Sequence, residues 1–247
     1  MFFDVILPKA YVQERDLKKS YFAALKAGDY NAYLAAAEAG AKVSWDQKGL
    51  CPVSSLLAGA FDPSVLGNGE AQKLDESRQL ILTHLMHQDN IDVLQRNRRE
   101  LPGLDGSKGM NSVALACRLN MPEVVAQLTA DLPASYNVIG RGDPYFGDGR
   151  PLLPESYART CVKSNAADCL KVILSAKMHK NFSYKDGTDD LEFASASGHS
   201  DMREMLDGYQ VEYDEYRARR EEEWKQRKAE ERKTSSDGPD FTPPTIM

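Results

Sequence analysis

The chain has 247 residues, enough for one extended domain or two small ones with a substantial buried core. Hydrophobic residues make up 42% and charged residues 28%, and the formal net charge of -6 argues against a general affinity for nucleic acid. No apolar run approaches the roughly 20 residues that a membrane-spanning helix needs, so a membrane is not expected as a partner either.

The opening MFFDVILPKAY is apolar but short, carries Asp4 and lacks a basic leader. It reads as a docking segment covering one end of a core rather than as a secretory signal, and residues 1–19 are expected to form an N-terminal cap. In AALKAGDYNAYLAAAEAGAKV a helix of small residues runs into Gly28, and a second helix from Tyr30 to Ala39 follows at once. The next inner helix is expected in GLCPVSSLLAGA, residues 49–60. An insertion near 62–75 then separates it from ESRQLILTHLMH, which supplies the outer helix. The arrangement recurs in VALACRLNMPEVVAQL around Asn120, in YARTCVKSNAADCLKVIL around Asn165 and in LEFASASGHSDMREML around Gly198. Gly and Asn best tolerate the left-handed conformation that closes a helix, which explains their place between paired helices.

Asn165 and Gly198 are 33 residues apart. Asn120 and Asn165 are 45 apart, the excess falling in the Gly/Pro-rich insertion YNVIGRGDPYFGDGRP, residues 136–151. Apolar residues such as Leu34, Leu80, Leu82, Leu85, Val124, Val125, Leu170 and Ile173 are expected to fill the core from the outer helices. Ala24, Ala58, Ala116, Ala158 and Ala194 let inner helices approach closely. A single helix pair cannot bury these faces alone, so stacked neighbours, an all-α helical-repeat solenoid, are expected over residues 20–208.

The units resemble the ankyrin repeat family, whose repeat is a β-turn, a short inner helix and a longer outer helix in about 33 residues. Gly49, Pro52 and Val53 stand where that pattern has Gly, Pro and Leu. Gly109, Val113, Ala116 and Cys117 match it in the next unit, and Gly187, Leu191, Ala194 and Gly198-His199 match it in the last; Gly40-Ala41 matches its terminal pair. About five diverged units are covered, and none has the full T-P-L-H signature. The resemblance implies a non-catalytic protein-binding module that needs no cofactor. Contacts are then expected at the turn tips (Gln47, Lys48 and Leu50, then Lys108 and Met110, then Lys185 and Thr188) and on the inner helices at Lys26, Arg118 and Lys163. The basic members of that set suggest an acidic surface on a partner protein.

Trp45 either fills a gap between units or serves as an exposed anchor. Tyr145 and Phe146 make the 136–151 insertion a candidate contact loop, since long loops carry function more often than scaffold. Residues 209–233 carry eight acidic and eight basic side chains and read as a long helix. Tyr209, Tyr213, Tyr216 and Trp224 lie on one side of it, for capping or for a partner. The Pro-rich end, residues 234–247, is expected to be disordered. Catalytic fingerprints such as G-x-S-x-G and the P-loop do not occur. The alternative to a binding module is a metal-dependent or enzymatic site around His84 and His87, which share a helical face but lack an evident third ligand. Cys51, Cys117, Cys161 and Cys169 form no C-x-x-C pair, so free thiols in a reducing, cytoplasmic setting are expected. No oligomer is expected apart from the partner.

Overall fold

The computed structural model describes residues 9–132, 156–178 and 188–236, apart from positions 48, 63, 65, 90 and 102. Its described residues form ten helices and no strands. These are α1 (Lys9–Ala27), α2 (Tyr30–Glu38), α3 (Pro52–Ala60), α4 (Glu76–Met86), α5 (Ser112–Arg118), α6 (Pro122–Thr129), α7 (Tyr157–Lys163), α8 (Ala167–Ser175), α9 (Asp190–Ala196) and α10 (Ser200–Ser236). The chain is therefore all-α. Among the described residues no helix is long and apolar enough to cross a membrane. Up to Arg203 the chain makes one compact unit, and from Glu204 onward a second.

All four expected helix-closing residues adopt positive φ: 73° at Gly28, 51° at Asn120, 53° at Asn165 and 77° at Gly198. Each turn is closed in the same way. The amide one residue past the left-handed position returns to a carbonyl five residues back: Asp29 to Ala24 at 3.0 Å, Met121 to Ala116 at 3.0 Å, Ala166 to Cys161 at 2.9 Å and His199 to Ala194 at 3.2 Å. This pattern satisfies carbonyls that a helix end otherwise leaves open. Gly40 and Lys177 close α2 and α8 by the same bonds, so even a lysine takes φ of 54° where the turn requires it.

Helix α1 packs on α2 and α3, α3 on α4 and α5, α5 on α6 and α7, and α7 on α8 and α9. Small residues make this spacing possible, since Ala24, Ala116, Ala158 and Ala194 are buried. Gly59 is the limiting case: a Cβ there would lie 2.1 Å from the Lys26 carbonyl oxygen. The outer helices bury Ile81, Leu82, Leu85, Val124, Val125, Leu128, Leu170 and Ile173. Leu80 departs from expectation and stays 46% exposed. It precedes Ile81 and Leu82, and three consecutive helical residues span too wide an arc to share one buried face. Leu34 is only half-buried.

Two expected boundaries fall inside continuous helices. Position 19/20 lies within α1, whose exposed polar first half leads directly into buried Tyr21, Phe22 and Leu25. Gly208 lies within α10, which runs from the last expected repeat into the charged segment without a break. One glycine costs a helix about 1 kcal/mol relative to alanine, too little to end one flanked by strong helix formers.

The N-terminal ends of the inner helices are joined by buried polar contacts in a constant register. Cys51, Asn111, Ser156 and Asp189 are the N-caps of α3, α5, α7 and α9. The N-cap of one helix bonds the first residue of the next: Cys51 Sγ lies 3.3 Å from Ser112 Oγ, Asn111 Nδ2 donates to Tyr157 OH at 2.9 Å, and Ser156 Oγ donates to Asp190 Oδ2 at 2.9 Å.

The opposite end of α3 has no left-handed turn, because Phe61 continues into extended backbone. Arg78, in the first turn of α4, fills the role. Its Nη2 donates to the carbonyls of Lys26, Ala27 and Gly59, each at 3.1 Å, and its Nη1 pairs with Asp75, the N-cap of α4. One guanidinium thus closes two helix ends while its side chain is only 17% exposed. Arg78→Ala is expected to lower unfolding stability by about 1.5–3 kcal/mol, the range for hydrogen bonds to a charged group, with the part-buried Gly59 carbonyl the most affected. Urea denaturation checks this, and Arg78→Lys should recover only a fraction, since an ammonium lacks the planar fork.

Candidate functional site

Three backbone segments run side by side just ahead of α3 and α5. Gln47 and Leu50 exchange both hydrogen bonds, at 2.9 and 3.1 Å. The Arg98 amide donates to Gly49 O at 2.9 Å. The Asn97 amide donates to Met110 O at 2.8 Å, and the Gly109 amide returns to Asn97 O at 2.8 Å. Segment 97–98 therefore lies between the tip at 47–50 and the tip at 107–110. Gly49 has φ of 83°, and a Cβ there would sit 2.6 Å from the Cβ of Arg98, so this approach needs glycine twice over.

Not every expected tip residue faces outward. Leu50 is 8% exposed and Met110 4%, so both side chains join Val93, Leu101 and Leu104 in the interior instead of presenting contacts. These two expected contact residues are corrected to core residues: their large apolar side chains are removed from water, which burial favours over presentation at a tip. Gln47 remains half-buried and Lys108 exposed. Arg98 and Arg99, absent from the expected set, are also exposed and make no ion pair with any described residue. The nearby carboxylates serve the loops themselves: Asp46 accepts from the Gly49 amide at 3.3 Å and Glu100 from the Gly106 amide at 3.1 Å. Beneath this surface Asn97 is 2% exposed, and neither its side-chain nitrogen nor its side-chain oxygen has a hydrogen-bond partner among the described residues.

Lys26, Arg118 and Lys163 occupy the last turns of α1, α5 and α7, where the helix dipole favours positive charge. Lys26 and Lys163 are exposed, and Arg118 is half-buried with Nη1 3.4 Å from Ser164 Oγ. Lys163 lies 5.9 Å from the Phe193 ring, which Arg159 also covers at 4.3 Å. Arg159 is buried and donates to Thr188 Oγ1 at 2.6 Å, so the Thr188 side chain is tied to the fold. The basic set taken as one surface in the sequence is thus divided. Lys108 stands ahead of α5 and Arg118 at its far end, a helix length of about 10 Å away. Lys48, Tyr145, Phe146 and Lys185, with the rest of the 136–151 loop and the tail beyond residue 236, lie outside the described residues.

Trp45 meets Tyr21 edge to face at 6.3 Å and is half-buried, so it packs. Tyr21 also touches Phe22 at 5.4 Å and Tyr33 at 5.6 Å. The Tyr33 hydroxyl lies 2.8 Å from His84 Nδ1, and His87 Nδ1 lies 2.7 Å from the Thr83 carbonyl of its own helix. Each histidine therefore has its own protein partner. Among the described residues no three His, Cys, Asp or Glu side chains are grouped to hold a metal ion. The four cysteines are free and buried, and burial pushes the thiols of Cys117, Cys161 and Cys169 up, away from the reactive thiolate. In the second unit Tyr209 and Tyr213 stack at 6.3 Å, while Trp224 is 54% exposed with Lys228 4.2 Å from its ring.

Two outcomes follow from these buried groups. Replacing Asn97 with leucine removes two unbonded polar atoms and is expected to raise stability by about 1 kcal/mol in urea denaturation; a loss would mean that the amide is bonded in solution. Burial lifts the Tyr33 hydroxyl from 10.0 to about 12. The unfolded chain therefore loses that proton first, binds fewer protons between these values, and stability falls as pH rises through the window. Tyr33→Phe should flatten that fall without steepening it at lower pH, as unfolding midpoints across neutral to alkaline pH would reveal.

No protein-family model matches the chain, and no curated protein matches its sequence; the paired helices and their charged edges are what point to function.

Proposed function

We propose that the chain is an ankyrin-like helical-repeat solenoid acting as a non-catalytic protein-binding module. The observation that carries the reading is the constant register of the N-cap contacts, repeated across α3, α5, α7 and α9. Such repetition is what a stack of equivalent units needs, each supported by its neighbours. The five successive helix pairs and the left-handed turn inside four of them support it further. A stack of this kind presents its tips and inner-helix edges to a partner while the interior stays closed.

The exposed cations Lys26 and Lys163 with half-buried Arg118 at the helix C-terminal ends, and Lys108 at a turn tip, favour acidic groups on a partner of a chain whose own net charge is -6. Four free thiols fit a reducing compartment such as the cytoplasm. Affinity capture from the native source, followed by mass spectrometry, should return one stoichiometric protein partner. Changing Lys108, Arg118 and Lys163 together to glutamate should weaken that partner by about tenfold or more, the scale of several lost rim charges. Unchanged affinity would count against the charged edges as the reading surface.

A further inference from the structure

We infer that the loop carrying Arg98 and Arg99, together with Lys108, forms a docking site for an acidic peptide segment of a partner protein; this rests on the protein-binding reading above. The cations are ten residues apart in sequence but neighbours in space. The Asn97 amide bonds Met110 O and its carbonyl receives the Gly109 amide, both at 2.8 Å, so Arg98 and Lys108 ride on paired backbone. Arg98 is fixed from its other side by the bond to Gly49 O at 2.9 Å. All three side chains are exposed and form no ion pair among the described residues, so no ion pair within that set has to break before a carboxylate binds. Guanidinium groups suit carboxylates best, because two parallel N–H donors match the two oxygens.

Asp89, Asp92, Glu100 and Asp105 are exposed on the same loop, and none of them forms an ion pair with these three cations; Asp46, Glu100 and Asp92 are instead turned toward the amides of Gly49, Gly106 and Leu94, at 3.3, 3.1 and 3.0 Å. The loop also keeps Asn97 buried with both side-chain polar atoms unpaired among the described residues, a departure from ordinary polar satisfaction of the kind that concentrates at functional segments. A peptide with a few carboxylates is favoured over nucleic acid because the patch holds too few cations to neutralise a run of phosphates.

The test is fluorescence anisotropy of a labelled oligoglutamate peptide with the full chain at low and high salt. Binding to the wild type should weaken as salt rises. It should fall about tenfold in the R98E/R99E double variant, and less in R98Q/R99Q, with melting midpoints unchanged. The R219E/R227E control carries the same charge change at two exposed positions of α10 that belong to no proposed contact surface, and should bind like the wild type. No binding to the wild type, or equal loss in both double-glutamate variants, would overturn the site. Tighter binding of a single-stranded oligonucleotide would overturn the choice of ligand. A captured partner that binds R98E/R99E normally would remove this site and leave the protein-binding reading standing. Peptide binding with no partner ever captured would do the reverse.

Discussion

The hydrogen bonds that tie α3, α5, α7 and α9 to one another at their N-termini fix much of the first unit. Each N-cap side chain acts twice. Asn111 accepts from the Ala114 amide at 2.9 Å within its own helix, and its other end reaches Tyr157; Ser156 accepts from the Arg159 amide at 2.7 Å and donates to Asp190. Cys51 does the same with a thiol, accepting from the Ser54 amide at 3.4 Å. These groups are buried, so an unmade bond is penalised by lost hydration, and slippage by one residue would unmake several at once. With the helix starts held level, the tips that precede them are held level too. The exposed arginines and Lys108 are positioned by that chain of dependence.

The insertion between α3 and α4 shows how a departure from regularity is absorbed. It removes the left-handed turn that would close α3, and Arg78 replaces that turn with a side chain. The insertion then becomes part of the scaffold. Gln72 donates from its amide to Asn120 O at 2.8 Å, Asn120 Nδ2 returns to Gly69 O at 3.1 Å, and Lys73 pairs with Glu123 at 2.8 Å. Asn120 thereby supplies both the positive φ that ends α5 and the anchor for a loop arriving from another helix pair.

Features governed by local chemistry were legible in the sequence. Gly28, Asn120, Asn165 and Gly198 mark helix ends because few residues accept that backbone conformation, and the helix pairs follow from them. Features governed by register or long-range pairing were not. A tip is so short that nothing in its local sequence says whether Leu50 or Met110 faces in or out. The three arginines of QRNRRE are visible as a cluster, but their adjacency to Lys108 depends on backbone bonds around Asn97. Tyr33 and His84 are 51 positions apart, and nothing local in either helix announces their hydrogen bond. The continuity of α10 through Gly208 was not legible either, because a glycine's weak local signal is outweighed by strong helix formers on both sides.

The aromatic cluster around Trp45 has an experimental consequence. The chain holds only two tryptophans, Trp45 in the unit that ends at Arg203 and Trp224 in the unit that follows. Trp45 is half-buried against Tyr21, whereas Trp224 stands in water beside Lys228. Their emission spectra must differ, because indole emission shifts to the red as water gains access. Each unit therefore carries its own optical label, and loss of the bluer component reports the loosening of α1 and α2 without any dye or tag.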